Sequence, residues 1–168
     1  MANLIREQRL VDNNKRALLK YVYISDSTSQ ANATLVDVST LSKALNANGY
    51  IMSSNTDPKN LYRTKIKRIF GQAKLSGYIK LQWQSPTNTE IVTISTGSFD
   101  YDFESMGDGA VIANPDASSN GDILFSNASA ASGDVVTLFI DLRKDNGDYD
   151  AGQTADPAAF NRGTAAGF

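Results

Sequence analysis

Two triads of charged residues have the types and spacing to do chemistry. Asp100, Asp102 and Glu104 alternate with Phe99, Tyr101 and Phe103, and Arg63, Lys65 and Lys67 alternate with Tyr62, Thr64 and Ile66. Alternation at period two puts each triad on one face of a β-strand. Three carboxylates on a face offer the oxygen ligands that a hard cation such as Ca2+ prefers. Three cations offer contacts to phosphates, but an isoelectric point near 5.0 lacks the broad positive field that nucleic-acid binding requires. The plainer reading of the acidic triad is a solvated strand face. A third stretch, Asp145-Asn-Gly-Asp-Tyr-Asp150, has the composition of a calcium loop without its ligand order or its closing Glu.

The remaining catalytic inventory is thin. The chain holds no histidine and no cysteine, which removes Ser/His and Cys/His nucleophilic arrangements, thiolate-held zinc and disulfides. Carboxylates, lysines and tyrosines remain. A carboxyl pair across a cleft could hydrolyse glycosides, and exposed Tyr78 or Trp83 could stack on a sugar ring in a carbohydrate-binding module. Most aromatics, however, fall on strand faces that read as core, and neither a Gly-rich phosphate loop nor a nucleophile elbow is present. The expectation is a protein that is not an enzyme and needs no cofactor or metal.

The elements that position these residues read as strands. Arg16 to Ile24 is rich in β-branched and aromatic residues and ends in a Ser/Asp/Thr cluster. Thr34 to Val38 is a second short apolar stretch, Ser39 to Leu45 a turn or two of helix stopped by Asn46 to Gly49, and Leu61 to Phe70 a strand, with a helix the competing reading, Phe70 on the inner face and a break at Arg68 that marks a bulge or the strand's end. Ile79, Leu81 and Trp83 point inward from the next strand, and Ile91 to Ile94 follows. Phe99 to Glu104 is half buried, and Ala110 to Ala113 is a brief continuation. Ile123 to Phe125 and Val135 to Leu142 are the last strands, the final one with Val136, Leu138, Ile140 and Leu142 on one apolar face. Seven to nine short strands between Gly, Pro, Asn and Ser turns predict an all-β antiparallel sandwich or jelly roll.

At 168 residues, one domain with one core suffices. No run of about 18 apolar residues occurs and the start lacks an apolar leader, so a soluble chain made in the cytoplasm is expected, with no membrane partner. The net charge of −2 divides along the chain: residues 1–84 hold 13 basic against 5 acidic side chains, and residues 85–168 hold 3 against 13. Either strands of both halves interleave and mix these charges, or a basic face of one copy meets an acidic face of the next. Residues 1–15 and 144–168 are polar or Gly/Ala/Asp-rich, and Tyr149, Phe160 and Phe168 are the sizeable apolar groups of the second segment. The expected organisation is an N-terminal arm (1–15), a β-sandwich (16–143) and an extended C-terminal tail (144–168), both ends ordering on a partner. Deleting 144–168 is then expected to leave the fold intact.

Several segments carry a likeness. They are the opening Met1 to Tyr21, Tyr62-Arg-Thr-Lys-Ile-Lys-Arg-Ile-Phe70, Gly77-Tyr-Ile-Lys-Leu-Gln-Trp83, Phe99-Asp-Tyr-Asp-Phe103 and Asp134-Val-Val-Thr-Leu-Phe-Ile-Asp-Leu-Arg-Lys144. In overall pattern, without a diagnostic motif, the chain resembles the small virion structural proteins of tailed bacteriophages, particularly marine and cyanobacterial ones. That resemblance implies a virion part, of a group that includes β-sandwich and jelly-roll proteins that decorate or cement the capsid. Its partners would be virion subunits, the major capsid protein first among them, and further copies of itself, with no nucleic acid. Neck, tail or fibre-associated subunits and a carbohydrate-binding module are the alternatives. The residues expected at the interface are Arg63, Lys65, Lys67, Asp100, Asp102, Glu104, Tyr149, Phe160 and Phe168.

Overall fold

The longest apolar alternation becomes the longest strand. In the computed structural model, which describes residues 3–52, 58–107, 112–114 and 117–150, the last strand spans Ser132–Lys144, and Val136, Leu138, Ile140 and Leu142 are all buried on one face. The described strands in chain order are β1 (Leu4–Asp12), β2 (Arg16–Asp26), β3 (Ala33–Val36), β4 (Thr64–Lys74), β5 (Tyr78–Trp83), β6 (Thr89–Ile94), β7 (Gly97–Asp102), β8 (Ile112–Ala113), β9 (Ile123–Ala128) and β10 (Ser132–Lys144). Two antiparallel sheets result. The larger runs β1-β2-β10-β4-β7, with β8 also pairing β4, and the smaller runs β3-β9-β5-β6.

Each sheet turns one apolar face to the other, as period two requires. From the larger sheet come Ala17, Leu19, Tyr21 and Tyr23 of β2 and Ile66, Ile69 and Ala73 of β4; from the smaller come Ile79, Leu81, Trp83, Ile123 and Phe125. Tyr23 and Phe125 meet across the layers with ring centroids 4.9 Å apart, and the Tyr23 hydroxyl accepts the Asn127 side-chain amide. The fold is therefore an all-β sandwich with one core. Gly71 sits where β4 and β10 run closest. A Cβ there would lie 2.0 Å from the Thr137 carbonyl oxygen, so no other residue fits without moving backbone.

Four expectations change. The helical turns expected over Ser39–Leu45 are a single 3-10 turn, Val38–Thr40, capped by Asp37, and the chain beyond it is held by isolated bridges from Ala44 to Tyr149 and Leu45 to Ile51. Polar Ser39, Thr40 and Ser42 bond to nearby backbone and side chains instead of continuing a helix. The break at Arg68 is a bulge: Asp141 pairs Arg68 while Leu142 pairs Ile66, leaving Lys67 unmatched. That extra residue inverts the alternation, so Ile69 points inward and Phe70 outward.

The N-terminal arm is replaced by a strand. Leu4–Asp12 pairs along its length with β2 and forms the edge of the larger sheet. Its inward side carries Ile5, packed against the core, then Glu7 and Arg9, and Arg9 donates to the Thr40 carbonyl (2.7 Å) and hydroxyl (2.9 Å) and to Glu7 (2.7 Å). The tail expected from residue 144 also begins inside the fold. The Lys144 side chain has no exposed area, and Tyr149 is 0% exposed. Residues 151–168, with Phe160 and Phe168, lie outside the described residues.

Deletion of 144–168 is accordingly expected to abolish two-state folding instead of sparing it. The milder Tyr149→Ala should cost about 3–5 kcal/mol in urea denaturation and lower Tm by about 10 °C; an unchanged Tm would show that the core closes without this ring.

Candidate functional site

The acidic and basic triads land on adjacent strands. β4 pairs β7 with Arg68 opposite Asp102 and Phe70 opposite Asp100. Arg68 forks onto Asp100 at 2.8 and 2.5 Å, and Lys67 reaches Glu104 at 2.7 Å. The Arg68 guanidinium holds the Asp100 carboxyl below its ordinary range. Much of the opposed charge of the two halves is thus neutralised within one molecule, the interleaved alternative of the sequence reading. Asp102 caps the next turn through the Ser105 amide at 3.1 Å. Arg63 turns to Asp148 (3.3 Å) and Asp145 (3.8 Å), whereas Lys65 is exposed and has no ion pair among the described residues.

Tyr149, expected at an interface, is instead a core residue that closes one end of the sandwich. Its hydroxyl donates to the Val38 carbonyl at 2.8 Å and its ring lies 5.7 Å from that of Tyr62, whose hydroxyl donates to the Leu45 carbonyl at 2.6 Å. Burial pushes the Tyr149 phenol far up. Beside it Lys144 donates to Asp12 (2.5 Å) and the Ser42 carbonyl (2.8 Å), with its ammonium 4.8 Å above the Tyr149 ring; burial lowers its pKa and the Asp12 carboxylate opposes that shift. Asp148, 4% exposed, accepts from Lys59 (3.0 Å) and from the Arg63 backbone (2.8 Å). The chain from Asp145 to Asp150 therefore staples the long connection between β3 and β4. Its carboxylates are held by protein groups: Asp145 accepts from the Gly147 amide at 2.8 Å, Asp148 faces Lys59, and both approach Arg63. Among the described residues no group of three or more Asp or Glu side chains is placed to hold a metal ion.

A polar cavity of about 340 Å³ opens at the same end between Asp37, Ser39, Lys59, Tyr62, Asn120 and Asp122. Asp122 accepts from the Val38 amide (3.0 Å) and the Asn120 side chain (2.8 Å), and Asp37 accepts from the Ser39 amide (3.0 Å) and hydroxyl (2.6 Å). Burial pushes the Asp122 carboxyl up to about 6, the Val38 hydrogen bond holds it back, and the Asp37 charge adds to the rise. Gly121, at φ +93°, lets this loop approach the Tyr62 carbonyl, which a Cβ would meet at 2.3 Å. These carboxylates are engaged in organising turns. Trp83, weighed as a sugar platform, is 1% exposed in the core; Tyr78 is 42% exposed on the outer side of the smaller sheet.

The outer face of the larger sheet is the surface that sequence reasoning missed. Leu18, Val22 and Ile24 of β2, Val135 and Phe139 of β10 and Phe70 of β4 form an apolar stripe interrupted by Lys20, Thr137 and Asp141, each of the six half-buried except Ile24, which is 39% exposed. Phe70 and Phe139 stack with centroids 4.7 Å apart and planes 4° from parallel, and the pair is flanked by Arg68 over Phe70 (4.8 Å) and Lys20 over Phe139 (5.9 Å). The register places Arg6, Arg16, Lys20, Lys65, Arg68, Lys74 and Arg143 on this face against Asp26, Asp100, Asp102 and Asp141, seven cations to four carboxylates. The signal in the sequence was that Val135 to Leu142 is apolar on both faces, more than one core requires. The outer side of the smaller sheet presents Thr34, Lys80, Gln82, Ser126 and Thr93 together with Tyr78 and the buried Leu124, a mostly polar surface.

No family model matches the chain, and neither a curated protein nor a solved structure matches it.

Asp122 gives a pH prediction. Its folded pKa lies above the ordinary 3.8, so its contribution to stability is present below about pH 4 and is lost as pH rises through 6. Asp122→Asn should flatten the stability profile between pH 4 and 7 by on the order of 1–2 kcal/mol relative to the parent chain in urea titrations. Parallel profiles would mean that Asp122 is not held in a desolvated site.

Proposed function

We propose that the chain is a structural subunit of a tailed-phage virion, a decoration or cement protein that lies against the capsid shell through the outer face of its larger sheet. The observation that carries this reading is the apolar stripe centred on the stacked Phe70 and Phe139, rimmed by cations. An apolar patch on a soluble protein marks a binding surface, and aromatics with Arg at the margins are the composition of protein interfaces. A patch spread over the face of a sheet fits a broad, flat partner better than a small ligand.

The winding supports the same reading. We take the eight strands β2 to β7, β9 and β10, in the orders β2-β10-β4-β7 and β3-β9-β5-β6, as a jelly roll, in which successive connections cross between sheets so that first and last strands lie side by side. That architecture recurs in capsid proteins and also in lectin domains. With Trp83 in the core, a glycan site would have to rest on Tyr78 without it, so the assembly reading is preferred to the carbohydrate one. Weak contacts repeated over a symmetric shell hold through avidity. The excess of cations predicts an acidic counter-surface, on the capsid protein or on another copy, that sets orientation and encounter rate more than affinity.

Two measurements test the proposal. Copy number in purified particles should be on the order of hundreds, with density on the outer shell in cryo-electron microscopy; about a dozen copies at one vertex would move the subunit to the neck or tail, and absence from particles would end the virion reading. The double variant Phe70→Ser/Phe139→Ser should lose less than about 2 kcal/mol of stability, since both rings are half-buried, yet fall about tenfold in particle incorporation.

A further inference from the structure

We propose that the end of the same sheet carries an oxyanion-binding pocket between β4, β8 and β10, with Arg143 and Lys65 as its ligands and Arg63 at its rim. A cavity of about 260 Å³ is lined there by these residues together with Asn114 and Asp145. It lies under the roughly 300–1,000 Å³ typical of sites for larger organic ligands and suits a phosphate or carboxylate group with a few waters.

Three observations point to an anion. The register sets Arg16 opposite Arg143 and Arg143 opposite Lys65, a row of three cations across neighbouring strands. Like charges directly opposite destabilise a sheet. Arg16 is relieved by a bidentate contact to Asp141 at 2.8 and 2.7 Å, but Arg143 and Lys65 are exposed and have no ion pair or side-chain hydrogen bond among the described residues. Second, the cavity lining holds four cations, Arg63, Lys65, Arg143 and Lys144, against one carboxylate, Asp145. Third, the acidic group at the rim is already engaged, since Asp145 accepts from the Gly147 amide and lies 3.8 Å from Arg63. The other lining cation, Lys144, is committed to Asp12 and Ser42. A planar guanidinium and an ammonium side by side match an oxyanion of either phosphate or carboxylate type.

The assignment does not depend on the virion reading, and the test keeps the two apart. The isotope-labelled full chain is titrated at pH 7 with inorganic phosphate and separately with N-acetylglutamate, each against sodium chloride at matched ionic strength, and backbone amide shifts are followed. Saturable shifts confined to residues 63–65, 113–114 and 143–145 are expected, weakened about tenfold by Arg143→Gln or Lys65→Gln, with Tm unchanged in both exposed variants. Tighter saturation by phosphate assigns the pocket to a phosphate-bearing ligand, and tighter saturation by N-acetylglutamate assigns it to an acidic side chain of a protein partner. Shifts reproduced by chloride, failure of both anions to saturate, or titrations unaltered in the Arg143 and Lys65 variants would overturn the proposal.

Discussion

A central strand buried on one face and hydrogen-bonded along both edges has almost no freedom to move, and β10 is such a strand. It pairs β2 from Arg16 to Asp26 and β4 from Thr64 to Lys74, so its thirteen residues fix the register of both neighbours. Its inward side chains form the floor of the core, and its outward Phe139 anchors the exposed stack. Its last residues, Arg143 and Lys144, point to opposite sides: one to the cationic row outside, the other to the sealed Asp12 and Tyr149 cluster within. Core, docking face and closed end are consequences of one alternating segment.

The surface electrostatics follow from strand order more than from composition. Basic β4 lies beside acidic β7, and the fold spends most of those charges on one another at the margin of the larger sheet. Cations farther along β2, β10 and the start of β4 have fewer acidic neighbours, because the strands that carry most of the acids lie elsewhere. The residual positive field therefore concentrates on the strip that also carries the exposed apolar residues. Coincidence of apolar area and uncompensated charge on one face, with a more polar opposite face, is what singles out that side as the proposed contact surface.

The layered architecture was legible in the residues. The inward sets Ile79, Leu81 and Trp83 and Val136, Leu138, Ile140 and Leu142 follow from period two alone, and both are buried. What local pattern could not reveal was long-range. Phe70 faces outward because Lys67 is an extra residue against β10, a fact of pairing invisible in either strand by itself. Leu4–Asp12 looks polar because it is an edge with its charges Glu7 and Arg9 turned toward the sandwich flank, where they bond to Tyr21 and Thr40. Tyr149 reads as a lone aromatic in a polar tail, and only the placement of Val38 and Tyr62 supplies its pocket. The cationic row required the register of three strands separated widely in sequence.

The edge formed by β1 bears on how the protein behaves when crowded. Its bulge between Arg9 and Val11 and its inward-turned ionic pair spoil the template that an incoming strand would copy. Copies brought close together are thereby discouraged from zipping edge to edge into fibres, and the proposed contact through the broad side of the sheet could be made and released without unravelling any backbone ladder.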